Sequence, residues 1–223
     1  MVNRTGYLRQ LDELDARMSR VGEEVHEGII SSGLALAGCD HDLAQQVADS
    51  HRSMQRLCRS VEDGCMSIML LQQPLAGDLR FVTAAFRAVV DLARINDMVL
   101  DIAELELEIE DKAAIAVSED MLDLSRQAAT MVAKAVSAFG SIDADAAESV
   151  FALDDGVDDA FERTRAGVVE LIKSDAIEAL QAPELLMIAK YYERIGDHAQ
   201  SIADWAVFRA KGTYQGRIMG EAM

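Results

Sequence analysis

The sequence predicts an all-α protein made of two tandem, pseudo-symmetric three-helix bundles, with six long antiparallel helices in total. Half of the 223 residues are apolar and only two are proline, a composition that favours helices over disorder. Apolar side chains recur three or four residues apart along most of the chain, as they do on one face of a helix. A segment near the middle is repeated one hundred residues later, which indicates two related halves.

The first two helices are predicted from apolar stripes that end at helix-breaking residues. The first stripe consists of Tyr7, Leu11, Leu14, Met18, Val21 and Val25. Gly38 and Asp40 end this helix, and Asp40 or Asp42 begins the next one. The second stripe consists of Leu43, Val47, Met54, Leu57, Val61, Cys65 and Ile68. We therefore predict a second helix from about Asp42 to Leu71, ending before Pro74.

The third and fourth helices flank the midpoint of the chain. The third is predicted from Asp78, its expected N-cap, to about Glu108. Residues 110–117 are polar and weakly patterned, so we predict that they connect the two halves. The fourth helix is predicted from Ser118 to Phe139, because acidic residues favour its first turn and a glycine follows its end.

The fifth and sixth helices complete the second half. Asp143 or Asp145 begins the fifth helix, whose apolar stripe continues to Leu171. The sixth is predicted from about Ala182 to Ala210, because a proline suits its first turn and a glycine follows its end. Both segments are long enough to pack along the fourth helix, so a second three-helix bundle is expected.

The repeat relates the third helix to the sixth. The segment 94–104, RINDMVLDIAE, recurs as RIGDHAQSIAD at 194–204. Such self-similarity is the signature of a duplicated structural unit. We therefore predict a first bundle at residues 1–112, a second bundle at 113–212 and a loose C-terminal tail at 213–223.

The charge and the cysteines limit the class of protein. The net charge is −18, with 39 acidic against 21 basic residues, which opposes binding to nucleic acid or to an anionic lipid surface. No secretory signal and no membrane-spanning apolar run is found, so a cytoplasmic location is expected. Cys39, Cys58 and Cys65 lack metal-ligand spacing and are predicted to be small, reduced core residues.

Acidic residues four apart form candidate metal-binding faces. They are Asp97, Asp101 and Glu104 in the third helix, and Glu193, Asp197 and Asp204 in the sixth. Like charges at this spacing repel by a few tenths of a kcal/mol each unless a cation compensates. In the fifth helix, Asp154 and Asp158 provide an opposing face. Carboxylate ligands favour iron, manganese, magnesium or calcium. The alternative is the solvated surface of an acidic protein.

Other chemistry is less well supported by the sequence. Glu23 and His26 form one Glu-x-x-His pair, whereas a ferritin-like di-iron site needs two. His198 is either a peripheral ligand or a helix-surface histidine. Arg94 and Arg194 either pair with nearby acids or bind phosphate. No phosphate-binding loop and no nucleophile motif is present, so no catalytic residue and no enzyme activity are predicted.

Two motifs resemble the PhoU family of phosphate-uptake regulators. They are residues 72–80, QQPLAGDLR, and residues 192–199, YERIGDHA. The resemblance covers nearly the whole chain, including the two repeats. It implies two three-helix bundles that bind iron or other metals on Glu/Asp-x-x-x-Asp motifs. It also implies a negative regulator, often a dimer, that links the ATPase of the phosphate ABC transporter to a sensor histidine kinase.

The resemblance carries over unequally to the two halves. The sixth helix matches the metal motif fully, whereas Ala93 replaces its leading carboxylate in the third helix. At an offset of 103 residues, the aspartates of the fifth helix correspond to His51, Arg52 and Gln55. We therefore expect a cation to prefer the second half. The candidate ligands are Glu193, Asp197, Asp154 and Asp158 in the second half, and Asp97 and Asp101 in the first. Periodicity leaves the partner-binding face unassigned.

Overall fold

The computed structural model describes residues 4–109, 111–177 and 181–218, of which most are helical. The helices are α1 (Arg4–Gly38), α2 (His41–Gln72), α3 (Gly77–Glu106), α4 (Asp111–Ser141), α5 (Ala144–Phe151), α6 (Asp154–Lys173) and α7 (Ala182–Lys211). Two short antiparallel strands follow, β1 (Thr213–Tyr214) and β2 (Arg217–Ile218). The predicted all-α bundle fold is confirmed.

The predicted fifth helix is interrupted and forms the two segments α5 and α6. At the junction, the N–H of Leu153 donates to the carbonyl of Val150, three residues back, at 3.0 Å. This tightened turn interrupts the regular four-residue ladder while Ala152 and Leu153 keep right-handed helical dihedral angles. The prediction of one continuous helix was therefore wrong in this detail, because a short 3₁₀-type turn leaves the apolar periodicity almost unchanged.

The helix starts depend on aspartate caps at two of the predicted positions. Asp40 accepts a hydrogen bond from the Leu43 N–H, and Asp143 accepts one from the N–H of Ala146, both at 2.9 Å. Each bond satisfies a backbone donor that has no partner within its helix. Asp78 was predicted as the cap of the third helix, but α3 begins at Gly77 and has no side-chain cap. Asp78 instead accepts a hydrogen bond from the Tyr7 hydroxyl at 2.8 Å.

The connection between the halves is shorter than predicted. Helix α4 begins at Asp111, so most of the expected linker at 110–117 is helical. Ile109 and Val117 are each 3% exposed, and burial of these apolar side chains stabilises a segment that looked weakly patterned. Residue 110 lies outside the described ranges. The boundary at 112/113 between two bundles stays a prediction.

The C-terminal residues after α7 are also more ordered than predicted. Gly212 adopts a left-handed conformation with φ 79° and ends the helix. The β1–β2 hairpin follows, and the Tyr214 ring stacks on Trp205 with 4.1 Å between ring centroids. The expectation of a loose tail was therefore wrong for residues 213–218, whereas residues 219–223 lie outside the described ranges.

The two halves pack side by side through paired helices. Helix α1 contacts α4, and α3 contacts α7, while α2 covers α1 and α3, and α5 and α6 cover α4 and α7. Close approach of α1 and α4 requires glycine. A Cβ atom on Gly33 would lie only 2.1 Å from Ser125 Oγ, and one on Gly22 only 2.4 Å from a methyl carbon of Val136. The buried apolar residues form one cluster that spans both halves.

The cysteines fit the reduced state that was predicted. Cys58 and Cys65 are buried, and burial raises the pKa of each thiol to about 12, so neither is a reactive thiolate at neutral pH. Cys39 is half-buried. Within the described ranges, no helix combines the length and apolar character of a membrane span.

Candidate metal centre

The structure brings together the four acidic residues that were predicted for the second half. Asp154 and Asp158 lie one turn apart at the start of α6, and Glu193 and Asp197 lie one turn apart in the middle of α7. Burial raises the pKa of Asp154, and the nearby charges of the other three carboxylates raise it further. Mutual repulsion of this kind occurs only between neighbouring groups.

Gly196 of α7 lies against the start of α6. A Cβ atom on Gly196 would lie 3.4 Å from Val157 Cγ1 and 3.7 Å from an Asp154 carboxylate oxygen. The side chain at this position is therefore minimal where the two acidic faces meet. The first half has Asn96 at the equivalent position, which is buried and faces the His51 carbonyl at 3.5 Å.

One basic side chain already lies in the cluster. The Lys190 ammonium is 2.5 Å from Glu193 Oε2. Burial and the charge of Glu193 raise the pKa of Asp197, whereas Lys190 and His198 act in the opposite direction. Four carboxylates outnumber this one ammonium, so negative charge remains in excess.

The cluster fits a hard cation by its chemistry and charge, but it is not a ready coordination sphere. Carboxylate oxygens are the ligands that iron, manganese, magnesium and calcium prefer. Among the residues that the structure describes, no group of three or more His, Cys, Asp or Glu side chains has a metal-binding arrangement. Side chains would therefore have to turn towards a bound ion.

The acids of the first half have other partners. Asp97 lies 2.9 Å from the Nε2 atom of His51. Asp101 accepts a hydrogen bond from the Tyr191 hydroxyl, and this bond, after burial, raises the pKa of Tyr191. Asp97 and Asp101 thus face a histidine and a tyrosine instead of further carboxylates. The preference of a cation for the second half stays a prediction. The contacts of Asp97 and Asp101 with His51 and Tyr191 are consistent with it.

Asp91 was missed as a functional candidate and joins the two halves. Its two carboxylate oxygens lie 2.8 Å from His198 Nδ1 and 2.8 Å from the Ser201 hydroxyl. Helix α3 is thereby hydrogen-bonded to α7 through half-buried side chains. Ser201 donates to the aspartate and not to the imidazole, so these residues are not a serine nucleophile and its base. The available sequence signal was the position of Asp91 within residues 89–100, a segment of α3 that is mostly apolar.

The Glu23–His26 pair lies away from the acidic cluster. Both side chains line a groove of about 480 Å³ between α1 and α4, together with Glu27. A ferritin-like site would require a second Glu-x-x-His pair on a facing helix, and α4 carries no histidine. Arg94 and Arg194 are exposed.

Glu106 is a buried acid that the sequence did not single out. Its side chain is 3% exposed, and neither carboxylate oxygen has a hydrogen-bond partner in the described part of the chain. Burial raises its pKa to about 9. The nearby Tyr192 hydroxyl is 2.8 Å from Ser32 Oγ. Glu106 continues the buried stripe of Val99 and Ile102 at the next step of four residues, so helical periodicity was the available sequence signal.

These features define a class of protein: an acidic two-repeat helical bundle with carboxylates grouped on two adjoining helices. The sequence model of the PhoU domain matches residues 17–105 and 121–206, one match in each half. The chain therefore belongs to the PhoU family, and the resemblance inferred from its two motifs is confirmed.

The chain is similar to proteins described as "Phosphate-specific transport system accessory protein PhoU homolog". The one from Pseudomonas putida is 27% identical over 205 residues, 92% of this chain and 80% of that protein. Homolog 1 from Methanothermobacter thermautotrophicus is 31% identical over 170 residues, 76% of this chain and 78% of that protein. The crystal structure of PhoU from Pseudomonas aeruginosa has a TM-score of 0.84 at 26% identity, covering 93% of this chain and all of that one.

Proposed function

We propose that this chain is a cytoplasmic regulator of phosphate uptake and a negative regulator of the phosphate-starvation response. In this role it couples the ATPase of a phosphate ABC transporter to a sensor histidine kinase, and it acts as a homodimer and not as an enzyme. The observation that carries the proposal is the match of both halves to the PhoU domain. The description of its relatives as accessory proteins of phosphate transport supports the same role.

A deletion strain tests the regulatory role. In high phosphate, deletion should release expression of a phosphate-starvation reporter, and wild-type chain supplied on a plasmid should restore repression. A parallel deletion of the transporter ATPase gene shows whether repression needs that partner. Normal repression in the deleted strain would contradict the proposal.

We further propose that a hard cation, iron or alternatively manganese, magnesium or calcium, binds preferentially in the second half. Asp154 and Asp158 would hold it from α6, and Glu193 and Asp197 from α7. The cation would supply positive charge between these carboxylates, where burial and, after it, the neighbouring carboxylate charges raise the pKa of Asp154 and Asp197.

Elemental analysis of purified protein tests the cation proposal. Glu193→Ala with Asp197→Ala should remove most of the bound metal. The matched pair Asp97→Ala with Asp101→Ala in α3 should remove little. The reverse result would contradict the preference for the second half, and circular dichroism would show that both variants remain folded.

A metal-free helical scaffold is the second candidate. Two observations favour it: Lys190 already pairs with Glu193, and no three potential ligands converge within the described residues. Wild-type protein that contains no metal and still represses the reporter would support the scaffold. Loss of repression in the Glu193→Ala, Asp197→Ala variant would instead support a working acidic cluster.

A further inference from the structure

The end of the α2–α3 hairpin exposes a group of large apolar side chains. Leu70, Leu71 and Leu75 are 71%, 70% and 79% exposed, more than any other large apolar residue that the structure describes. Leu79 and Met66, at 43% and 44% exposed, extend the same region. We call these five residues the apolar tip. A group of large apolar side chains left exposed in one region of a protein surface marks an interaction site.

Four of the five residues of the apolar tip, all except Leu79, lie in an uncharged part of a strongly acidic protein. Residues 64–77 contain no charged residue, and this is the longest uncharged run in a chain of net charge −18. Charges return at once on either side, with Asp63 and Asp78. The corresponding end of α6 in the second half carries Lys173 and Asp175. The neutral tip is therefore a property of the first half alone.

We propose that two copies of this chain associate through the apolar tip. This inference rests on the homodimer proposed above and assigns its interface. Two acidic molecules repel each other over most of their surface, whereas contact through residues 64–77 brings no like charges together. An anionic membrane is a poorer occupant, because residues 64–77 contain no Lys or Arg to bind headgroups.

The size of the tip sets the strength of the association. Its five side chains expose the equivalent of about three whole side chains. With the neutral surface around them, two copies would bury on the order of 1,000 Å², the lower limit for a specific interface. A concentration-dependent equilibrium between monomer and dimer follows. A two-fold contact uses the same patch on both copies, so association stops at the dimer.

The dependence of dimerisation on salt concentration distinguishes this interface from one held by ion pairs. Screening weakens the repulsion between the acidic bodies of the two copies, and it leaves the burial of leucine side chains in place. Raising the salt concentration should therefore strengthen the dimer. A contact made of ion pairs would be weakened by the same change.

Sedimentation velocity of the full chain over a hundredfold range of concentration tests the proposal. The variant Leu71→Glu with Leu75→Glu should weaken dimerisation by at least about tenfold, because it places four carboxylates in a buried contact. Both side chains are highly exposed, so the fold should be unaffected, as circular dichroism will check. Ile115→Glu is the matched control, since Ile115 is 62% exposed on α4, and it should leave dimerisation unchanged.

Three other results would each contradict the homodimer or its proposed interface. Wild-type chain that stays monomeric at every concentration and salt level contradicts the homodimer itself. A dimer that is unaffected by the tip variant keeps the homodimer and overturns the assignment of its interface. Monomeric chain that floats with vesicles of zwitterionic lipid, and fails to float after the tip substitutions, shows that the tip contacts lipid instead of a second copy.

Discussion

Replacement of Glu106 should change how the stability of the protein depends on pH. The pKa of this buried carboxyl is raised from 4.5 to about 9 by burial. Below pH 4.5 the group is neutral in both the folded and the unfolded chain. As the pH rises from 4.5 towards 9, only the unfolded chain releases the proton, so the wild-type protein loses stability across this window. Above pH 9 the contribution becomes constant.

The expected magnitude follows from the size of the pKa shift. Each pH unit within the window lowers the free energy of unfolding by about 1.4 kcal/mol. Three units, from pH 5 to pH 8, therefore give at most about 4 kcal/mol, and we expect roughly 2–4 kcal/mol because local opening hydrates buried groups. Glu106→Met removes the titrating group and places an apolar side chain at a site that is 3% exposed.

Urea unfolding at pH 5, 6.5 and 8, followed by circular dichroism, measures this effect. The quantity of interest is the free energy of unfolding of Glu106→Met minus that of the wild type, which should rise with pH. Other titrating groups are common to both proteins and cancel in the difference. Glu104→Met is the control, because Glu104 is exposed on the same helix. A difference for Glu106→Met that stays constant with pH would refute the reasoning.

Two further predictions concern the contacts between the halves. Gly33→Ala should lower the free energy of unfolding by about 1–3 kcal/mol, because the added Cβ would overlap Ser125 Oγ; Ser125→Gly should restore part of the loss in urea unfolding. Asp91→Asn should destabilise the protein by about 1–3 kcal/mol, because it weakens the bonds from His198 and Ser201. An unchanged unfolding midpoint in Asp91→Asn would contradict the proposed joint between α3 and α7.

The sequence predicted the helices where local signals were strong. Apolar stripes and aspartate caps placed the starts of α2 and α5 to within a residue, because both signals act within one or two turns. The start of α4 was missed, since burial of Val117 against distant residues stabilises helix in a weakly patterned segment. The β1–β2 hairpin was missed for the same reason, as Tyr214 is held by stacking on Trp205.

The candidate site shows the same division between local and distant information. Spacing of four residues placed Glu193 with Asp197 on one helix face, and the same spacing of Asp154 and Asp158 suggested an opposing face. No local pattern predicts that Asp91 meets His198, because these residues are 107 positions apart. Helical periodicity, by contrast, could have shown that Glu106 is buried, because it lies four residues after Ile102 on the buried face of α3, whereas Glu104 is out of phase.

The difference between the halves extends from ligands to packing. Substituting Ala93 with glutamate would restore the missing carboxylate of the first motif, but His51 would still face Asp97 at 2.9 Å. The buried Asn96 side chain would also still occupy, beside α2, the position in α3 that a glycine holds in α7. The missing acids, the histidine beside Asp97 and the asparagine in place of a glycine all make the first half less suited to a cation than the second. The first repeat is therefore arranged for hydrogen bonding between neutral and paired groups, and the second for concentrated negative charge.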